Sequence, residues 1–137
     1  MRVSVVVPVL NEAVNLHACL DSAFAGGREV EVIVVDGGSV DASPDIARAA
    51  GATVLSSSVP GRSHQLNLGA RQARGEVVLF LHADTVLPRN WLAELRAAVR
   101  HDARIVGGGF RRRFAHPSPL LRFTCWLAGW RVRWWGC

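Results

Sequence analysis

The stretch VVLFLHADTVLP, residues 77–88, places five apolar residues directly before His82, Ala83 and Asp84. A short apolar run bounded by polar residues is typical of a β-strand that is buried in a sheet. In α/β proteins, polar side chains that directly follow such a strand line the ligand crevice at the carboxyl edge of the sheet. We therefore expect residues 77–81 to form a central strand, and Asp84 is the first candidate for a functional residue.

The rest of the chain alternates between strand and helix patterns. Strands are predicted for residues 3–7, where Pro8 closes the run, for 30–35 and 53–55, and for a last segment that runs from Ile105 through three glycines to Phe110. Helices are predicted for residues 16–24, for 43–50 with Ser43 as the N-cap, for 62–74, and for a segment that begins at Pro88. This alternation predicts an α/β fold in which a mostly parallel sheet is covered by helices in three Rossmann-like layers.

Length and composition favour one globular domain. Residues 1–110 hold ten Arg against eleven acidic residues, whereas residues 111–137 hold six Arg and no acid. All sixteen Lys or Arg residues are Arg, a uniform bias that carries little information about partners, and no nucleic-acid partner is predicted. The three cysteines, Cys19, Cys125 and Cys137, have no metal-binding or disulfide spacing. With no signal peptide or membrane span expected, the predicted location is cytoplasmic, with possible peripheral contact at the inner face of the membrane.

A boundary is predicted after residue 114, because the remaining residues, 115–137, are rich in Arg and Trp. Apolar residues in this tail recur at spacings of three and four, which predicts a helix. Arg together with Trp is typical of helices that lie on a membrane surface. A helix whose aromatic face packs on its own domain has the same pattern, and we favour that interpretation.

Acidic residues follow three of the predicted strands, at Glu12, Asp36 and Asp84. The carboxyl ends of parallel strands share one edge, and a crevice opens where the strand order reverses, so these carboxylates are expected to converge. Asp36 could instead be a turn residue, and Glu12 could be an acid that interacts with a helix dipole. His82 could be a metal ligand, a hydrogen-bond donor or a satisfied buried histidine, and the last two are favoured.

Several phosphate-binding motifs are absent. The segment after the first strand reads PVLNE, residues 8–12, rather than the GxGxxG of dinucleotide-binding folds, and a P-loop lysine is impossible in a chain without lysine. A phosphatase with an aspartate nucleophile would need an aspartate where His82 stands. Carboxylates without a glycine-rich cradle suit a phosphate ligand that arrives with its own divalent cation.

Four motifs at matching spacing resemble family 2 glycosyltransferases of the GT-A fold. They are PVLNE at 8–12, VVDGGSVDAS at 34–43, the segment from GRSHQLNLGA to HADTVLP at 61–88, and GGGFRRRF at 107–114. The pattern is most similar to a bacterial subgroup of rSAM- or selenodomain-associated transferases, some of them linked to arsenosugar synthesis. The resemblance extends over the whole chain and implies a nucleotide-sugar-binding core in residues 1–114.

The resemblance also implies roles for matching positions. The implied substrate-binding residues are Pro8, Glu12, Asp36, Gly37, Arg62, Gln65, Asn67, His82 and Asp84. Asp36 would hydrogen-bond the nucleotide base, and Asp84, the last position of a DxD-like motif, would bind Mg or Mn together with the ribose and diphosphate. The implied reaction transfers a sugar, with inversion, from a nucleotide-diphosphate sugar to an unknown acceptor.

Two departures from the family pattern affect these expectations. His82 replaces the first aspartate of the motif, which leaves one carboxylate for the metal. The family continues well beyond the length of this chain, so the general base is expected after Cys137, and the chain as it stands is expected to transfer sugar poorly or not at all. Two alternatives remain, a non-catalytic membrane-associated interaction module and a nucleotidyltransferase. The second is disfavoured because its Gly- and Lys-containing loop is missing.

Overall fold

A computed structural model describes residues 1–101 and 106–110. Met1–His101 form one compact unit. Its strands are β1 (Val3–Val9), β2 (Val30–Asp36), β3 (Thr53–Ser56) and β4 (Val77–Phe80), and its α-helices are α1 (Ala13–Phe24), α2 (Ser43–Ala49), α3 (Arg62–Gln72) and α4 (Trp91–His101). A short 3-10 helix, Gly27–Glu29, precedes β2. The predicted α/β alternation is confirmed.

The four strands form a parallel sheet in the order β3-β2-β1-β4. The chain therefore moves outward from β1 to β3 and then returns to the other side of β1 to form β4. Strand order reverses between β1 and β4, and in open α/β sheets this is the position at which a ligand crevice forms.

Helices cover the sheet through two different sets of contacts. Helices α1 and α2 pack on each other and on β2, whereas α3 packs on β1 and β2. Right-handed crossovers that advance and then return along the sheet place their helices on opposite faces. The face under α3 carries the buried side chains of Val6, Ile33 and Val35, against which Leu66 and Leu68 of α3 pack.

Strand β1 continues through Pro8 to Val9, which differs from the predicted end at Pro8. Pro8 is buried and lies opposite Val35 of β2. The carbonyl of Val6 faces β4, since it accepts from Leu81 N–H at 3.0 Å. Backbone groups alternate in direction along a strand, so the backbone nitrogen of Pro8, two residues later, also faces the β4 side. Strand β4 has ended at Phe80 on that side, and the missing N–H of Pro8 removes no ladder bond.

The prediction that residues 77–81 form a central strand is wrong for the sheet of the described residues. Strand β4 lies at one edge of that sheet and ends at Phe80, whose side chain is 51% exposed. The central strands are β1 and β2, whose apolar residues are almost fully buried. An apolar run alone does not distinguish a strand buried on both faces from one at an edge.

Other boundaries differ by a few residues. Ser43 does not cap α2, since its hydroxyl accepts from the N–H of Glu12. In α3 the buried residues are Gln65 and Gly69, whereas the apolar residues Leu66 and Ala73 are only partly buried. Val106–Phe110 are in no strand, and Ile105, the end of the core at 111–114 and the tail 115–137 lie outside the described residues.

Candidate functional site

Two loops at the carboxyl edge of the sheet are joined by hydrogen bonds. Asn11, after β1, donates its N–H to Ser39 Oγ at 2.9 Å and accepts from the N–H of Val40 through Oδ1 at 2.9 Å. Its φ of 54° lies in the left-handed region, where asparagine is among the few tolerated non-glycine residues. The β1–α1 and β2–α2 loops therefore form one surface, with Glu12 and Asp36 on it.

The amino end of α1 is capped by residues from the neighbouring loop. Ala13 N–H donates to Asp41 Oδ2 at 3.0 Å, and Glu12 N–H donates to Ser43 Oγ at 2.9 Å. Ser43 N–H also donates to Asp41 Oδ1 at 3.0 Å. Hydrogen bonds from Ser43 and, to a smaller extent, from Ala13 hold the pKa of Asp41 below its usual range. Because a carboxylate already occupies this helix end, it is a poor place for a phosphate.

Asp36 is buried at the end of β2, with 7% of its surface exposed. Its Oδ2 accepts from Gly38 N–H at 3.1 Å, and both carboxylate oxygens lie 3.2 Å from Ser39 N. Asp36 is thus a turn residue, as one sequence interpretation held. Two carboxylate oxygens offer about four acceptor positions, so this turn leaves capacity for a further donor.

Asp84 lies in a turn after β4, held against α1. Thr85 N–H donates to His82 O at 3.0 Å, which closes the turn, and the exposed Asp84 carboxylate accepts from Thr85 Oγ1 at 3.2 Å. Cys19 Sγ lies 3.5 Å from His82 O, and Ser22 Oγ accepts from Leu87 N–H at 3.0 Å. One turn of α1 therefore positions the segment that carries Asp84.

The thiol of Cys19 lies beneath this turn. Burial is the main cause that raises its pKa to about 12, and the nearby carboxylates of Asp84 and Glu12 add to the effect. The protonated thiol is therefore able to donate to His82 O at neutral pH. Glu12 and Asp84 both follow strands of the parallel sheet, after β1 and β4, and so lie toward its carboxyl edge.

The predicted site residues fall into three groups. Pro8, Asp36 and Gln65 are buried at the sheet edge, Glu12 and Gly37 are half-buried there, and Arg62, Asn67, His82 and Asp84 are exposed. The interpretation of His82 as a buried histidine is wrong, since the strand ends before it and its side chain faces solvent. Within the described ranges, no group of three or more His, Cys, Asp or Glu side chains could hold a metal ion.

Sequence reasoning missed the residues that arrange the site. Asn11, Ser39, Asp41 and Ser43 join the two loops, and Ser22 and Trp91 hold the Asp84 segment, with Trp91 Nε1 donating to Ser22 O at 3.1 Å. The pairs are 28 to 69 residues apart in sequence, so no local pattern reveals them. The one available signal was the density of Asn, Asp and Ser after the first two strands.

Comparison with known proteins defines the class. The chain matches the family model for glycosyl transferase family 2 over residues 4–133. It therefore belongs to the family 2 glycosyltransferases. An uncharacterised glycosyltransferase of Mycobacterium tuberculosis is 32% identical over 133 residues, which cover 96% of this chain and 59% of the relative.

Solved structures identify the fold as GT-A. The mannosyltransferase PcManGT from Pyrobaculum calidifontis, in complex with GDP-Man and Mn2+, is similar with a TM-score of 0.66 and 32% identity over 72% of this chain and 32% of that one. S. aureus TarS 1-349 is similar with a TM-score of 0.69 and 25% identity over 82% of this chain and 39% of that one. The chain spans between 33% and 59% of the length of the curated relatives it matches. No helix in residues 1–101 or 106–110 is long and apolar enough to cross a membrane.

Proposed function

We propose that this chain forms the donor-binding part of a glycosyltransferase and binds a nucleotide-diphosphate sugar together with a divalent cation. The observation that carries the proposal is the exposed Asp84 carboxylate, which lies after β4 at the reversal of strand order beside β1. Asp36 and Glu12 lie at the same edge of the sheet. The GDP-Man and Mn2+ of PcManGT support this assignment of ligand class.

The polar groups around Asp84 fit a metal that arrives with its substrate. Asp84 offers one accessible carboxylate, and the residues described here provide no larger group of ligands. Mg²⁺ is commonly held by one or two carboxylates and takes its other ligands from phosphates and water. Bound in this way, the cation would neutralise the diphosphate as it leaves the sugar.

The capped amino end of α1 indicates that the diphosphate binds elsewhere. Because Asp41 and Ser43 occupy the N–H groups of Ala13 and Glu12, these amides do not cradle a diphosphate. The first turn of α3 differs, since it contains Arg62, no acidic residue and no side-chain cap. We propose that Arg62 contributes positive charge to the diphosphate and that Asn67 contacts the donor nearby.

In the proposed reaction, an acceptor hydroxyl attacks the anomeric carbon with inversion and a carboxylate takes its proton. Asp36 would hydrogen-bond the base, and buried Pro8 would shape the floor beneath the nucleotide. No residue in the described ranges is assigned as the general base. Membership of the rSAM-associated subgroup is part of this proposal. Membrane contact through residues 117–137 is the alternative role of the tail, and liposome co-sedimentation with and without these residues would test it.

Calorimetric titration of UDP and GDP in the presence of Mn²⁺ tests the proposal. One of the two nucleotides should bind, and Asp84→Asn should weaken that binding at least tenfold because the metal loses its protein carboxylate. The matched control is Asp21→Asn, which makes the same change at an exposed position of α1. Binding of neither nucleotide, or equal binding by both variants, would refute the proposal.

His82→Asp provides a second test at the same turn. A second carboxylate beside Asp84 should increase Mn²⁺ affinity, because added charged oxygen ligands favour hard cations. Fluorescence or calorimetric titration of Mn²⁺ without nucleotide would measure this effect. Unchanged Mn²⁺ affinity would mean that the turn does not direct side chains toward a common cation.

A further inference from the structure

The side chain of Gln65 joins the ends of the two central strands. From the first turns of α3, its Nε2 donates to Val9 O at 2.9 Å and to Val35 O at 2.8 Å. The side chain is almost fully buried, with 5% of its surface exposed. An amide nitrogen carries two protons, so both donors of Gln65 are used within the protein. Gln65 therefore has no donor left for a ligand, whereas the sequence analysis expected it to bind the substrate directly.

Gly37 also bonds to the Val9 carbonyl and packs against the Gln65 amide. Its N–H donates to Val9 O at 2.9 Å, so this carbonyl accepts from both Gly37 and Gln65. A Cβ at Gly37 would lie 2.9 Å from Gln65 Nε2 and 3.2 Å from Gln65 Cδ. Gly37 is not among the residues with positive φ, so the close amide, rather than its backbone conformation, accounts for glycine here.

Asp36 lies between Val35, whose carbonyl accepts from Gln65, and Gly37, which shares the Val9 carbonyl with Gln65. The Asp36 carboxylate is then oriented by the N–H groups of Gly38 and Ser39. Removal of the Gln65 amide would take one donor from each of two buried carbonyls and would free the Val35 side of Asp36, whereas Gly37 would keep its own bond to Val9 O.

We infer that Gln65 is a positioning residue, which holds Asp36 in the orientation that binds the nucleotide by joining the ends of β1 and β2. The inference rests on the proposed function, because it requires a nucleotide at Asp36. It gives Gln65 a role different from that of Arg62 and Asn67, which are exposed on the same helix.

The test compares two ligands. Gln65→Met keeps the length of the side chain but removes both donors, and Gln65→Asn keeps an amide that is too short to reach both carbonyls. Each variant should bind UDP or GDP with Mn²⁺ about tenfold more weakly. Binding of inorganic pyrophosphate with Mn²⁺ should change less than about twofold, because pyrophosphate has no base to contact Asp36. Gln72→Asn makes the amide-shortening change at an exposed position of α3 and should alter neither affinity.

Amide hydrogen exchange without ligand separates this inference from the proposed function. In the Gln65 variants, the amides of Gly37, Gly38 and Ser39 should exchange at least about tenfold faster, whereas amides in the middle of β2 should keep their rates. If the wild-type chain binds no nucleotide, the proposed function fails, and exchange alone decides whether Gln65 holds this loop. Equal loss of nucleotide and pyrophosphate binding, unchanged nucleotide binding, or faster exchange spread evenly over the sheet would overturn the inference.

Discussion

At the amino edge of the sheet the carboxylate of Glu31 is surrounded by donors, whereas at the carboxyl edge the carboxylate of Asp84 faces solvent. Ser4, paired directly with Glu31 across β1 and β2, donates its hydroxyl to that carboxylate, and the N–H of Arg74 donates to it as well. Gly75 N–H donates to Ser4 Oγ at 2.7 Å. These contacts join the α3–β4 connection to the sheet.

The carboxylates of Glu31 and Asp84 have opposite surroundings. Burial by itself raises the pKa of Glu31, but the Ser4 hydroxyl, the Arg74 amide and the charges of Arg2 and Arg74 outweigh it and lower the pKa. At the amino edge, then, the carboxylate stabilises the fold. At the carboxyl edge, the amide of Gln65 and the carboxylates of Asp36 and Asp41 make internal bonds, whereas the carboxylate of Asp84 is left accessible. The comparison predicts that substitutions at the amino edge lower stability and that those at the carboxyl edge chiefly change binding.

Gly75→Val should have the largest effect on stability. A Cβ at Gly75 would lie 2.6 Å from Ser4 N and 2.9 Å from Val3 C, which are main-chain atoms of a buried strand. Overpacking of this kind costs about 1–3 kcal/mol, and we expect the upper end in the free energy of unfolding measured with urea. Gly107→Val is the control, because no atom of the described residues lies within 4 Å of its Cβ position. Equal unfolding midpoints for the two variants would contradict this account.

Glu31→Gln should lower the free energy of unfolding by about 1–3 kcal/mol at neutral pH, because the donors around Glu31 lose an ionised acceptor. The folded-state pKa of Glu31 lies below its ordinary value of 4.5, so its stabilisation is present above that value and is lost as the pH falls through the folded pKa. Urea unfolding from neutral pH to about pH 3 should therefore show the two proteins converging in acid.

The control for this series is Glu94→Gln, at an exposed residue of α4 that accepts from Asn90 Nδ2 at 2.7 Å. It should change stability little at any pH. A constant difference between wild type and Glu31→Gln over the whole range would show that ionisation of Glu31 does not contribute.

Asp41→Ala tests the carboxyl edge and should cost about 1 kcal/mol, the usual effect of losing a helix cap. The variant removes the acceptor of Ala13 N–H and of Ser43 N–H. Urea unfolding together with exchange of the Ala13 amide would measure it. A loss as large as that of Gly75→Val would erase the distinction between the two edges.

Asp45→Ala should have the smallest effect, within about 0.5 kcal/mol, because exposed ion pairs contribute little. Asp45 Oδ1 lies 2.8 Å from Arg48 Nη1, and the two side chains are 84% and 59% exposed. Urea unfolding at low and high salt should give the same small difference. A larger, salt-sensitive loss would mean that surface charge contributes to stability here.

The sequence predicted the order of the elements because the strands are short runs of mostly apolar residues and the helices have spaced apolar residues or a cap pattern. It also predicted that Glu12, Asp36 and Asp84 share an edge, since parallel topology requires this. It could not predict the contacts of Gln65, which depend on where α3 crosses the sheet. Nor could it identify β4 as an edge strand of the sheet that the described residues form, because Val77–Phe80 are as apolar as the central strands.

Cys19 lies directly beneath the turn that carries Asp84 and is fully buried. Alkylating reagents react with thiolates, so a buried thiol whose pKa is raised to about 12 resists them until the turn opens. In a chain whose Cys125 and Cys137 are replaced by serine, the rate of alkylation would follow the opening of that turn. Alkylation of Cys19 with and without bound nucleotide and metal would therefore measure how strongly these ligands keep the turn closed.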